Sequence, residues 1–153
     1  MKFAHALVIA TTFGISPGLL AAQDYSAAVK ARQGQFRIMA LNLGVLGGMA
    51  KGEIAYDAEM AEMAAENLEM ISELHEAPLW LEDSSNMDIE GTRALPSIWD
   101  ENEDFLAKWA AFGEAAEQLE EIADDGQAGL GAAVGAVGKT CGACHDAHRQ
   151  PSS

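Results

Sequence analysis

The sequence predicts an all-α fold, an antiparallel four-helix bundle, on three observations. Apolar residues recur at helical spacing over long stretches of the 153-residue chain. Clusters of Gly, Pro and Asp interrupt those stretches where turns are needed, and the period-two alternation of a half-buried strand is scarce. Amphipathic helices joined by short turns at two of three connections bury their apolar stripes best as an up-and-down bundle.

The N-terminal residues read as a secretory signal peptide, residues 1–22. Met1-Lys2 supplies a positive start, Phe3 to Leu20 is mostly apolar, and Ala21-Ala22-Gln23 offers a cleavage point. Leu20 sits where a small residue is preferred, while Pro17 and Gly18 are favourable breakers. The alternative is a membrane anchor, which His5, Gly14, Pro17 and the short apolar run disfavour. Cleavage after Ala22 leaves one domain, residues 23–153, as the bundle.

The first helix is expected from about Tyr25 to Met49, with Val29, Phe36, Met39, Leu43 and Leu46 at helical spacing and Gly52 as its stop. The second is expected from about Asp57 to His75. Met60, Met63, Asn67, Met70, Ile71 and Leu74 form a stripe there, read as gap-filling core. Pro78 ends it. A long connection, about Ala77 to Ile98, contains Ser84-Ser85-Asn86, Gly91 and Pro96 and is flanked by Trp80 and Trp99. It exceeds the usual helix–helix loop, so a short helix or ordered crossover folded onto the bundle is expected.

The third helix, about Glu101 to Ala123, places Phe105, Trp109, Phe112, Ala116, Leu119 and Ala123 at alternating steps of four and three, the seam of a left-handed bundle. Asp124-Asp125-Gly126 is the turn, and the fourth helix runs from about Gln127 to His148, with Pro151 beyond. Gly131, Gly135, Gly138 and Gly142 recur along it. Each costs a helix about 1 kcal/mol relative to alanine, which suggests close approach of a neighbouring helix or a flat ligand edge.

The net charge is −15, and removing residues 1–22, which hold Lys2 and no acid, takes it to −16. That excludes nucleic acid and anionic membrane surfaces as natural partners and favours neutral or basic ones, including a basic redox partner. The acids around Glu117 to Asp125 read as solvated surface and turn. No carboxylate pair, nucleophile–base pair or phosphate-binding loop stands at meaningful spacing, so conventional enzymatic turnover is not expected.

The chemistry lies in Cys141-Gly142-Ala143-Cys144-His145. Cys-x-x-Cys-His is the attachment signature of haem c: two thiols add to the haem vinyl groups and the histidine ligates iron. On a helix these three residues share a face. A thioredoxin-like site would want a βαβ setting, a structural zinc site needs four ligands, and a simple disulfide leaves the adjacent histidine unexplained. Export agrees, since an oxidising compartment otherwise pairs neighbouring thiols.

Three stretches make the chain resemble cytochrome c′, the class II c-type cytochromes. They are Ala28-Val29-Lys30-Ala31-Arg32-Gln33 continuing to Lys51-Gly52-Glu53, then Arg93-Ala94-Leu95-Pro96-Ser97-Ile98-Trp99, then Cys141 through Arg149. The resemblance implies a periplasmic four-helix bundle, commonly a homodimer, with one covalent haem c whose iron takes His145 as its single protein ligand. It implies thioether positions at Cys141 and Cys144. It also implies haem propionate contacts from Arg32 and Gln33, a further contact at Thr92 or Arg93, and a basic residue, Arg149, beside the proximal imidazole. Gas binding (nitric oxide, carbon monoxide) and a part in nitric oxide buffering or removal follow from the same resemblance.

The resemblance puts the distal position at Phe36, four residues after Arg32. Low-spin relatives carry methionine there and are six-coordinate electron carriers. Phenylalanine cannot ligate iron, so an open metal is expected. Met39, three residues on, is read as core packing, and His75 and His148 as non-ligands. The alternative function is a periplasmic low-spin electron carrier using a methionine ligand. A haem-free bundle with a redox disulfide is a third reading.

Overall fold

The computed structural model describes residues 25–151; the signal peptide expected at residues 1–22 lies outside them. Four long helices and one single-turn helix follow in order: α1 Tyr25–Lys51, α2 Ala58–Ser72, α3 Ser97–Asp100, α4 Asn102–Glu120 and α5 Gln127–His148. They form the expected antiparallel four-helix bundle, with α1 packed on α2 and α5, and α4 on α2 and α5. Among the described residues no helix is long and apolar enough to cross a membrane.

α1 continues through its glycines and stops at Gly52, whose φ of 73° suits the left-handed turn that ends many helices. A β-carbon at position 48 would sit 2.6 Å from Ile54 Cδ1, so the exposed Ile54 side chain would have to move aside. Asp57 caps α2 by accepting a hydrogen bond from the Met60 amide at 2.9 Å.

The core joins Leu46 and Met49 of α1, Leu68 of α2, Phe112, Ala116 and Leu119 of α4, and Leu130 and Val137 of α5. The α4 seam is buried as expected, with Trp109 half-buried at its cavity end.

Three expectations need correction. On α2 the buried face is Ala61, Ala64, Ala65 and Leu68, whereas Met60, Met63 and Met70, and Leu74 beyond the helix end, are about half exposed. Small side chains let α2 approach its neighbours closely, and the bulkier methionines fall on the outside. α2 also ends at Ser72, leaving His75 exposed beyond it. On α5, Gly135, Gly138 and Gly142 have no atom near the place of a β-carbon, and Gly131 meets only Ala50 Cβ at 4.0 Å, so no tight helix contact explains the glycine spacing.

The long crossover is ordered, and α3 closes it. It is tied to α1 by Arg32 and Gln33, to itself by the Trp99 indole donating to the Trp80 carbonyl at 3.0 Å, and to the end of α5 by an antiparallel bridge between Ala94 and Arg149. Trp80 and Trp99 pack edge-to-face at 6.4 Å. The sequence-based expectation of a folded-back crossover is met by these contacts.

Leu46→Ala should lower unfolding stability by about 2–5 kcal/mol because Leu46 is wholly buried. Met60→Ala should cost less than about 1 kcal/mol. Urea unfolding of both variants checks the corrected assignment of the core face.

Candidate functional site

One helical face of α5 carries Cys141, Cys144 and His145 into a cavity of about 580 Å³. α1 supplies the opposite wall with Arg32, Gln33, Phe36 and Met39; α4 adds Phe105 and Trp109; the crossover adds Trp80, Thr92 and Arg93. Every site residue proposed from the sequence, Arg149 included, lines this one cavity. Thr92 and Arg93 both do so. A largely apolar chamber of this size, with a few polar groups at one end, suits a cofactor-sized ligand.

The Phe36 ring faces the His145 ring with centroids 6.4 Å apart. It is held edge-on by Trp80 at 6.2 Å and Trp109 at 6.3 Å. Met39 also lines the cavity, yet it is buried and belongs to the main core cluster. His75 is outside the cavity. His148 borders it, but its ring is engaged elsewhere, Nδ1 lying 2.9 Å from Ser97 Oγ and Nε2 lying 3.1 Å from Asp104 Oδ2.

Burial lowers the pKa of His145, and the charges of Arg149 and Arg93 lower it further against an opposing effect of Asp146. Imidazole is thereby kept neutral near pH 7, the form with a lone pair for a metal. Arg149 Nη1 stands 3.4 Å from His145 Nε2, where the resemblance had set a basic residue. Burial pushes the thiols of Cys141 and Cys144 upward in pKa. Redox Cys-x-x-Cys sites work with lowered thiol pKa, so the environment disfavours the redox-disulfide reading.

Arg32 is the most unusual group. It is 2% exposed and donates to Ser84 Oγ at 2.9 Å, the Ser84 carbonyl at 2.6 Å and Thr92 Oγ1 at 2.9 Å. Its guanidinium carbon lies 4.7 Å from the centre of the Trp80 ring. Among the described residues it has no carboxylate ion pair. A buried cation bonded only to neutral groups is costly, and a carboxylate-bearing ligand would offset that cost. Gln33 Nε2 donates to the Gly91 carbonyl at 2.9 Å and closes the same end.

Sequence reasoning missed three contributors. Trp80 was read as a loop flank and Trp109 as core, yet both shape the cavity around Phe36. Glu76 was not singled out. Its buried carboxylate accepts from the Trp80 indole at 2.6 Å and from Gln35 Nε2 at 2.8 Å, fixing the Trp80 ring between a carboxylate and the Arg32 cation. No local pattern marks Glu76, because its partners are set by the crossover.

Two thiols and a neutral imidazole on one wall, an apolar chamber, and a buried cation lacking an anion together fit a haem with its carboxylate side groups. The family described as Cytochrome C′ matches residues 27–149. A cytochrome c′ of Cereibacter sphaeroides is 41% identical over 143 residues, covering 94% of this chain and 96% of the relative. The solved cytochrome c′ from Rhodobacter Spheriodes superposes with a TM-score of 0.82 at 42% identity, covering 84% of this chain and 99% of that one. A nitric oxide complex of a cytochrome c prime mutant from Alcaligenes xylosoxidans gives 0.72 at 34% identity, covering 85% and 99%. The chain belongs to the cytochrome c′ family, and its cofactor is covalently bound haem c.

Proposed function

We propose that this protein is an exported, periplasmic haem c protein whose iron keeps one open position for nitric oxide or carbon monoxide, and that it buffers or removes nitric oxide. The observation that carries this reading is the wall opposite His145, where the nearest ring is Phe36, a side chain with no donor atom. The nitric oxide complex of a relative at 34% identity supports the choice of ligand. When bound, haem supplies an iron centre able to take a diatomic gas.

The chain's own residues do the rest. Cys141 and Cys144 hold the group by thioether bonds, and His145 offers its neutral nitrogen to the metal. Arg32, Gln33, Thr92 and Arg93 receive the carboxylate end, and Arg149 sits against the imidazole. Phe36 excludes water and larger anions by size and gives bound gas no hydrogen bond, so uncharged diatomics are favoured over polar ligands. The low-spin, methionine-ligated carrier would require Met39 to leave its core packing and supply sulfur to the metal.

The homodimer reading is supported by an apolar surface on α1 and α2. Leu41 is 67% exposed, and Ile38, Met63, Met70 and Leu74 are each about half exposed. A second copy would cover these exposed apolar side chains.

Three outcomes are expected. Phe36→Ala should raise the carbon monoxide association rate of the ferrous protein about tenfold, equivalent to lowering the barrier by ~1.4 kcal/mol; flash photolysis measures it, and an unchanged rate removes the gating role. Leu41→Glu should shift sedimentation from dimer to monomer, and a wild type that sediments as a monomer removes the dimer reading. Glu76→Ala should cost about 1–3 kcal/mol in urea unfolding, because the Trp80 and Gln35 donors lose their partner.

A further inference from the structure

The cavity's charge is opposite to that of the molecule. The chain has 24 acidic and 9 basic residues, yet Arg32, Arg37, Arg93, Lys108 and Arg149 all line the cavity and no Asp or Glu does. Lys108 is paired with Asp104 at 3.1 Å. Among the described residues the four arginines form no ion pair with a carboxylate. The acids adjoining lining residues in sequence, Glu69, Glu90, Asp104 and Asp146, do not line the cavity themselves.

Arg32 is buried, but Arg37 and Arg149 are exposed and Arg93 is partly so. Arg149 Nη1 lies 3.4 Å from His145 Nε2, and Arg93 Nε donates at 2.8 Å to the carbonyl of Gln150, the residue after Arg149, so the two arginines share one side of the cavity, with Asp146 as the acid that opposes them at His145. Arg37 stands next to Phe36 on α1. Four unpaired arginines outnumber the two propionates that one haem brings. A positive collar is therefore left at the mouth of a molecule that is otherwise strongly acidic.

The geometry points to this collar as the docking face for a redox partner that presents an acidic protein surface to the haem edge. The inference rests on the haem reading proposed above. It reverses the sign of partner that total charge suggests, because at physiological salt the screening length is about 8 Å and an approaching surface senses local charge rather than the distant acids. Clefts lined by one sign of charge raise encounter rates with the opposite sign.

The test uses the purified, haem-loaded protein reduced to the ferrous state, with oxidation followed at the haem absorbance. One electron passes from ferrous iron to hexacyanoferrate(III), giving ferric protein and hexacyanoferrate(II). Between about 0.1 and 0.5 M salt the rate should fall as salt rises, although reagent and protein are both negative overall. With the cation hexaammineruthenium(III) it should rise or stay flat. Arg37→Glu should slow the hexacyanoferrate reaction about threefold at the lower salt, whereas Lys51→Glu, the same charge change at the end of α1, should leave it unchanged. Poly-L-glutamate, standing in for an acidic protein face, should inhibit the wild type and not Arg37→Glu.

A hexacyanoferrate rate that rises with salt, or equal effects of the two substitutions, would overturn the collar. A falling rate without inhibition by poly-L-glutamate would overturn the docking of an acidic protein and leave attraction of small anions only. Protein that carries no haem absorbance defeats the haem reading instead, so the two failures are distinct.

Discussion

A single buried guanidinium holds the architecture around the cavity together. Arg32 enters from α1 and bonds to the crossover at Ser84 and Thr92 while lying over the Trp80 ring. Those contacts span 48 to 60 residues of sequence, and they turn a long connection into a wall. Moving such a charge out of water costs several kcal/mol unless it is well compensated. Neutral oxygens and an aromatic face compensate it in part. A ligand with carboxylates would meet the remaining electrostatic demand, and would couple cofactor binding to crossover order through one side chain.

From that anchor the aromatic wall follows. Glu76 holds the indole of Trp80 from the edge while Arg32 covers its face, and Trp80 together with Trp109 sets the Phe36 ring. α5 is the opposite wall and is built by local helix geometry alone, since residues 141, 144 and 145 face one way on any helix. The cavity therefore joins one wall specified by spacing to another specified by long-range packing.

That division explains what could be read from the chain. Cys141, Cys144 and His145 were legible because the motif and its helix are local. The α4 seam from Phe105 to Ala123 was legible because strong apolar residues recur at bundle spacing. The α2 face was not: methionines outweigh alanines on any hydrophobicity scale, yet Ala61, Ala64 and Ala65 are the residues that permit close helix approach. Arg32, Gln33 and Phe36 were found through resemblance rather than pattern, since a buried arginine looks like any other basic residue on a helix. Glu76 and Trp80 escaped because their partners belong to a crossover whose path no periodicity encodes. The clustering of cations escaped for the same reason: composition records a sum, and only the fold brings together the residues at 32, 37, 93, 108 and 149.

The account turns on how many protein atoms bind the iron. Resonance Raman spectroscopy of the ferrous protein near pH 7 reads that number directly. A five-coordinate, high-spin iron with a histidine nitrogen as its only protein ligand is the expected result. A six-coordinate, low-spin iron that becomes five-coordinate in Met39→Leu would contradict the open site and make the protein a methionine-ligated electron carrier.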